Sequence, residues 1–119
     1  MTQAIERSHG NARMSKIVRH GGLIYLCGQT AMGSAAAEIS AQTTEVLSRI
    51  DSLLAEAGSD RTRLLSVLIH LSSLDDFAEM NKVWESWVPE GCAPARTTVE
   101  ARLASSFLLV EMTVVAAEA

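Results

Sequence analysis

The run Leu108-Leu109-Val110-Glu111-Met112-Thr113-Val114-Val115-Ala116 constrains this chain more than any other segment. It is almost entirely apolar and reads as a strand. A carboxylate at Glu111, with apolar neighbours on both sides, is costly to bury unless something pairs with it or uses it. The preceding segment, Pro94-Ala95-Arg96-Thr97-Thr98-Val99-Glu100-Ala101, also reads as a strand. It supplies Arg96, whose planar guanidinium can hold a small carboxylate through two parallel hydrogen bonds, a task for which Lys is a poor substitute.

The rest of the chain builds around these two segments. Lys16 to His20 and Leu23 to Gln29 are short strands joined by Gly21-Gly22, the pair a two-residue hairpin favours, so a hairpin opens the fold. From Ile39 to Ala57 the apolar residues recur at three- and four-residue steps, which predicts an amphipathic helix stopped by Gly58. Leu64 to Leu71 suits a buried strand. Asp75 and Asp76 offer N-caps for a second helix with Phe77, Met80, Trp84, Trp87 and Val88 on one stripe, broken by Pro89, Gly91 and Pro94. Trp84 and Trp87 at that spacing read as core rather than as a ligand platform. The expected architecture is α+β, a β-sheet with two helices on one face, in one domain spanning residues 1–119.

Composition excludes several classes of function. A formal charge of −4, with no basic cluster longer than Arg61-Thr62-Arg63, leaves no footprint for a nucleic-acid backbone. The first twenty residues hold Glu6, Arg7, Arg13, Lys16 and Arg19 with no apolar block between them, so neither a signal peptide nor a membrane span is expected and a cytoplasmic location is the default. Cys27 and Cys92 read as free thiols. His9, His20 and His70 stand apart and no Cys-x-x-Cys occurs, so no metal site is expected. Neither a glycine-rich phosphate loop nor a Gly-x-Ser-x-Gly elbow is present.

Four segments together, Tyr25-Leu26-Cys27-Gly28-Gln29, Asp76-Phe77-Ala78-Glu79-Met80-Asn81, Pro94 to Ala101 and Leu109-Val110-Glu111, resemble the Rid (YjgF) family of enamine/imine deaminases. Pro-Ala-Arg and the later Val-Glu carry the likeness most strongly. The resemblance implies a chorismate-mutase-like fold, a homotrimer with clefts between subunits, and cofactor-free hydrolysis of reactive 2-imino or 2-enamino acids to 2-oxo acids and ammonia. It assigns Arg96 to the substrate carboxylate and Glu111 to the hydrolytic water. Gly28 matches the glycine whose backbone borders the ligand, and Asn81 an asparagine near the cleft. Cys27 stands where many relatives have Ser, and Thr98 where many have Cys. Met14 replaces a Tyr that helps close the pocket in well-known deaminating members. That change leaves a second reading open, a non-catalytic trimer that binds small carboxylates or partner proteins.

If Arg96 to Leu103 and Leu108 to Ala116 formed a hairpin turning near Ser105-Ser106, Glu111 would lie opposite Glu100, about 13 Å along the strand from Arg96. That is too far for a direct pair, so the two residues are expected to serve a ligand, one of them supplied by a neighbouring subunit.

Overall fold

The computed structural model describes residues 4–119. Six strands form one mixed sheet: β1 (Glu6–Ser8), β2 (Ile17–His20), β3 (Leu23–Leu26), β4 (Leu64–Leu71), β5 (Ala95–Glu100) and β6 (Val110–Ala117). Two helices, α1 (Ile39–Glu56) and α2 (Phe77–Trp87), pack on one face. The expected α+β class is therefore observed, with one strand that periodicity did not reveal. The short β1 pairs with β2 at the sheet edge, Arg7 opposite Val18, and only then does the β2–β3 hairpin follow. Its turn works because Gly21 and Gly22 both take positive φ, 61° and 82°, as a tight two-residue connection between twisted strands requires.

Sheet order is β1-β2-β3-β6-β4-β5. This corrects the expectation of a β5–β6 hairpin. β6 lies between β3 and β4, antiparallel to both, while β5 runs parallel to β4 at the edge. The physical reason lies in composition. β6 alternates fully buried Val110, Met112, Val114 and Ala116 with half-covered residues, so it belongs in the middle of the sheet. β5, with Arg96, Thr97, Thr98 and Glu100, tolerates an edge. Parallel pairing of β4 with β5 requires a crossover, and α2 provides it.

The core forms where α1 and α2 cover the sheet. Ile24, Leu26, Val67, Ile69, Leu71, Met112 and Val114 meet Val46, Leu47, Ile50, Leu54, Met80 and Trp84. Two polar side chains, Gln42 and Thr43, are sealed in with them. Gln42 donates from Nε2 to the carbonyls of Ala36 and Phe107 and accepts from the N–H of Leu109, tying α1 to the segment that leads into β6. The entry to α2 also differs from expectation. A 3₁₀ turn at Leu74–Asp76 comes first, capped by the Ser73 hydroxyl, so the carboxylate of Asp76 makes no cap bond at the helix itself.

The other face of the sheet carries no helix. Tyr25, Leu68 and Val99 stand on it with 44%, 37% and 39% exposure, more apolar surface than strands facing only water usually present. No helix among the described residues is long and apolar enough to cross a membrane.

Candidate functional site

Strand register decides where the candidate residues face. Val67 pairs with Arg96 on one side and Val114 on the other, and Ile69 pairs with Thr98 and Met112. Paired residues share a face, so Arg96 and Thr98 lie on the helix-covered side. His70 pairs with Glu111 and Val99, which places Glu111 on the uncovered side. Glu111 is thus opposite His70, not Glu100. With β4 between their strands, Arg96 and Glu111 are about 14 Å apart along and across the sheet, on opposite faces of it. Within one chain the candidate residues fall into two groups.

The first group lies at the β5 edge under α2. The Arg96 guanidinium sits 5.4 Å from the centre of the Trp84 ring and 5.8 Å from that of Phe77. Both rings come from one side of α2, seven residues apart, with Asn81 between them. Stacking fixes the arginine's plane while leaving its N–H fork free, and the cation–π attraction compensates part of the lost hydration. Arg96 makes no ion pair among the described residues. Burial lowers its pKa, and the more distant charge of Glu85 acts in the opposite sense. Beside it, Asn81 Oδ1 and Thr98 Oγ1 are both enclosed and without a hydrogen-bond partner. An arginine with free donors next to two unused polar atoms is a place equipped to receive a polar ligand.

The second group lies on the uncovered face at the end of β3. Gly28 follows that strand, and a Cβ there would run into the Glu111 carboxylate, 3.0 Å from Cδ and 3.2 Å from Cγ. Only glycine leaves the carboxylate its place. Cys27 is held by its N–H to the Lys16 carbonyl, and Gln29 Nε2 donates to its carbonyl at 3.1 Å and to its Sγ at 3.2 Å. Burial raises the thiol pKa, Lys16 and the Gln29 bond lower it less, and Glu111 adds slightly to the rise, so Cys27 is a protonated thiol at neutral pH. Among the described residues, Met14 makes no side-chain hydrogen bond to either group. It ends an exposed turn in which Asn11 Oδ1 accepts from the N–H groups of Arg13 and Met14, two residues before Lys16.

The structure therefore brings together Cys27, Gly28 and Glu111, and separately Arg96, Thr98 and Asn81. Phe77 and Trp84 as the arginine's bed are additions to the expected site. Their helical stripe could be read from sequence, but the closeness of that stripe to Arg96 depends on the β4–α2–β5 crossover. Trp84 is both things at once, a core residue and one of the two rings against Arg96. A concavity of about 710 Å³ beside Ser72 and residues 100–108 holds neither Arg96 nor Glu111.

Comparison with known proteins follows the same lines. Residues 4–118 match the family model described as Endoribonuclease L-PSP. The chain belongs to the YjgF/Rid family. It is 38% identical to a RutC family protein of Haemophilus influenzae over 112 residues, 94% of this chain and 97% of that one. The RutC family protein YoaB of Escherichia coli is also 38% identical, over 95% of this chain and 97% of its own. Among solved structures, NMB1025, a YjgF family member from Neisseria meningitidis, superposes with a TM-score of 0.93 at 40% identity, covering 98% of this chain and 96% of that one. An uncharacterized protein from Pseudomonas aeruginosa superposes with a TM-score of 0.92 at 41% identity, covering 98% and 100%. YjgF/Rid membership and the mixed six-stranded, two-helix fold are thereby established.

Proposed function

We propose that this YjgF/Rid protein hydrolyses reactive 2-imino and 2-enamino acids to 2-oxo acids and ammonia, in a cleft that two subunits of a homotrimer build together. The observation that carries this reading is the pairing of an arginine with free donors, bedded on two aromatic rings, with a carboxylate held over a glycine on the opposite face of the sheet. One chain cannot present both to a small molecule. A neighbouring copy laid against the uncovered face would bring its β5 edge, and with it Arg96, towards Glu111, and would cover Tyr25, Leu68 and Val99.

The chemistry asks little beyond placement. Arg96 takes the substrate carboxylate through its N–H fork, with Thr98 and Asn81 offering polar contacts beside it. Water bonds to the imine carbon as the C=N electron pair moves onto nitrogen, and Glu111 accepts the proton that the water gives up. The protonated Glu111 returns this proton to nitrogen, giving a carbinolamine. Passage of the hydroxyl proton to nitrogen through the same carboxylate then breaks the C–N bond, forms the carbonyl and releases ammonia. Substrate and water are consumed one for one, and no electrons are gained or lost.

Met14 supports a second reading. The position that carries a Tyr in well-known deaminating relatives holds a flexible thioether in an exposed turn, which favours a trimer that binds small carboxylates without turning them over. The family model's description names an endoribonuclease, but a chain of net charge −4 has no basic tract to hold an RNA backbone.

Ammonia release from 2-iminobutanoate generated in situ separates these readings. Wild type should exceed the protein-free rate and Arg96→Ala should fall to it while keeping the wild-type circular dichroism. Equal rates for wild type and the protein-free control, together with Arg96-dependent binding of 2-oxobutanoate, would establish the binding module instead.

A further inference from the structure

His70 is the residue of the uncovered face that the reaction so far leaves unused. It lies directly across the β4–β6 ladder from Glu111, and directly opposed side chains have Cβ atoms about 4.5–5.5 Å apart. Its ring nitrogen Nδ1 is enclosed and has no hydrogen-bond partner among the described residues. An enclosed lone pair without a partner is cheaper to leave than an enclosed N–H. The surroundings therefore favour the lone pair on Nδ1 and a proton on Nε2. Nε2 is the ring nitrogen farther from the backbone, on the face that also carries Glu111.

We propose that His70 is a positioning residue for Glu111, presenting its Nε2–H to the carboxylate through one intervening water and so aiming the other carboxylate oxygen at the attacking water. The inference rests on the hydrolytic reading above and adds to it the group that orients its base. Glu111 makes no ion pair among the described residues. Of the titratable groups, Cys27 feels the Glu111 charge, and Lys16 acts on Cys27 in the opposite sense. Neither sits across the ladder from Glu111.

Three substitutions test the placement. His70→Phe keeps the ring's bulk and removes both nitrogens. His70→Gln carries an amide N–H close to where Nε2 stands, and His70→Asn places its amide near the buried Nδ1. A role in orienting Glu111 predicts that kcat falls about tenfold in His70→Phe, the worth of roughly one hydrogen bond in the transition state, with KM changed less than about twofold because Arg96 still holds the carboxylate. His70→Gln should recover most of kcat and His70→Asn should not. A purely packing role puts His70→Phe at or above His70→Gln, and that order would overturn the proposal.

A readout free of turnover accompanies the kinetics. The ring nitrogen chemical shifts of His70 at neutral pH should identify the Nε2–H form and should move in Glu111→Gln. Unmoved shifts, or a proton found on Nδ1, would sink the inference even if the enzyme is active. Absence of turnover in wild type would instead refute the hydrolytic reading, and the shift perturbation alone would then decide whether His70 and Glu111 act as a pair.

Discussion

At the scale of single residues, the site depends on a side chain that is missing. Gly28 has no Cβ, and the Glu111 carboxylate occupies the space one would fill. In Gly28→Ala the new methyl meets the far end of a flexible side chain, so the expected response is a swing of Glu111 and little loss of stability. A misplaced base by about 1 Å can cost on the order of 100-fold in rate. Ammonia release should therefore fall by about that factor while the thermal midpoint stays within a few degrees, and an alanine variant with wild-type kcat would remove Glu111 from the reaction. Much of this scale was legible in advance. The cost of an isolated carboxylate in an apolar run pointed to Glu111, and the donor geometry of arginine pointed to Arg96. What stayed hidden was their orientation. Residue parity within a strand says which side chains share a face, but which face is covered follows from the neighbouring strands, so the opposition of Arg96 and Glu111 emerged only from the β4 register.

At the scale of elements, the helices and most strand limits follow from periodicity, because α1, α2 and β4 each bury one clear set of apolar residues. Strand pairing does not follow in the same way. Proximity in sequence favoured a β5–β6 hairpin, whereas burial favoured the more apolar β6 at the centre and sent the polar β5 to the edge. β1 escaped notice because three residues, Glu6-Arg7-Ser8, have too little pattern to declare a strand. Gln42 was invisible for a related reason: on α1 it reads as one more polar position, yet it is sealed in and satisfies three backbone groups, one just before the helix and two in the distant segment 107–109. Its removal should be felt at the base of β6, the strand that carries Glu111. Gln42→Leu keeps the bulk and strands the Leu109 N–H and the carbonyls of Ala36 and Phe107. A loss of about 3 kcal/mol is expected. Urea unfolding measures it, and a change below about 1 kcal/mol would mean that water replaces the glutamine without difficulty.

At the scale of the whole molecule, one fact governs the rest: the two halves of the proposed site lie on opposite faces of the same sheet. A cleft shared between copies is the arrangement that reconciles them, and it makes a prediction that no single-chain site shares. Arg96→Ala and Glu111→Gln should each be inactive alone. Unfolded and refolded together in equal amounts, they should form mixed trimers in which some clefts receive Arg96 from one variant and Glu111 from the other. Random assembly places an intact Arg96 donor beside an intact Glu111 donor in about one cleft in four, so activity should return to about a quarter of wild type. The recovered rate should track the mixing ratio, peaking at equal amounts and vanishing towards either pure variant. Mixtures with no activity, formed under conditions where light scattering shows trimers, would mean that each cleft draws both residues from one chain. That outcome would require the β5 edge to reorganise around the sheet, because in the present fold a small carboxylate held by Arg96 is separated from Glu111 by the thickness of β4 and its neighbours.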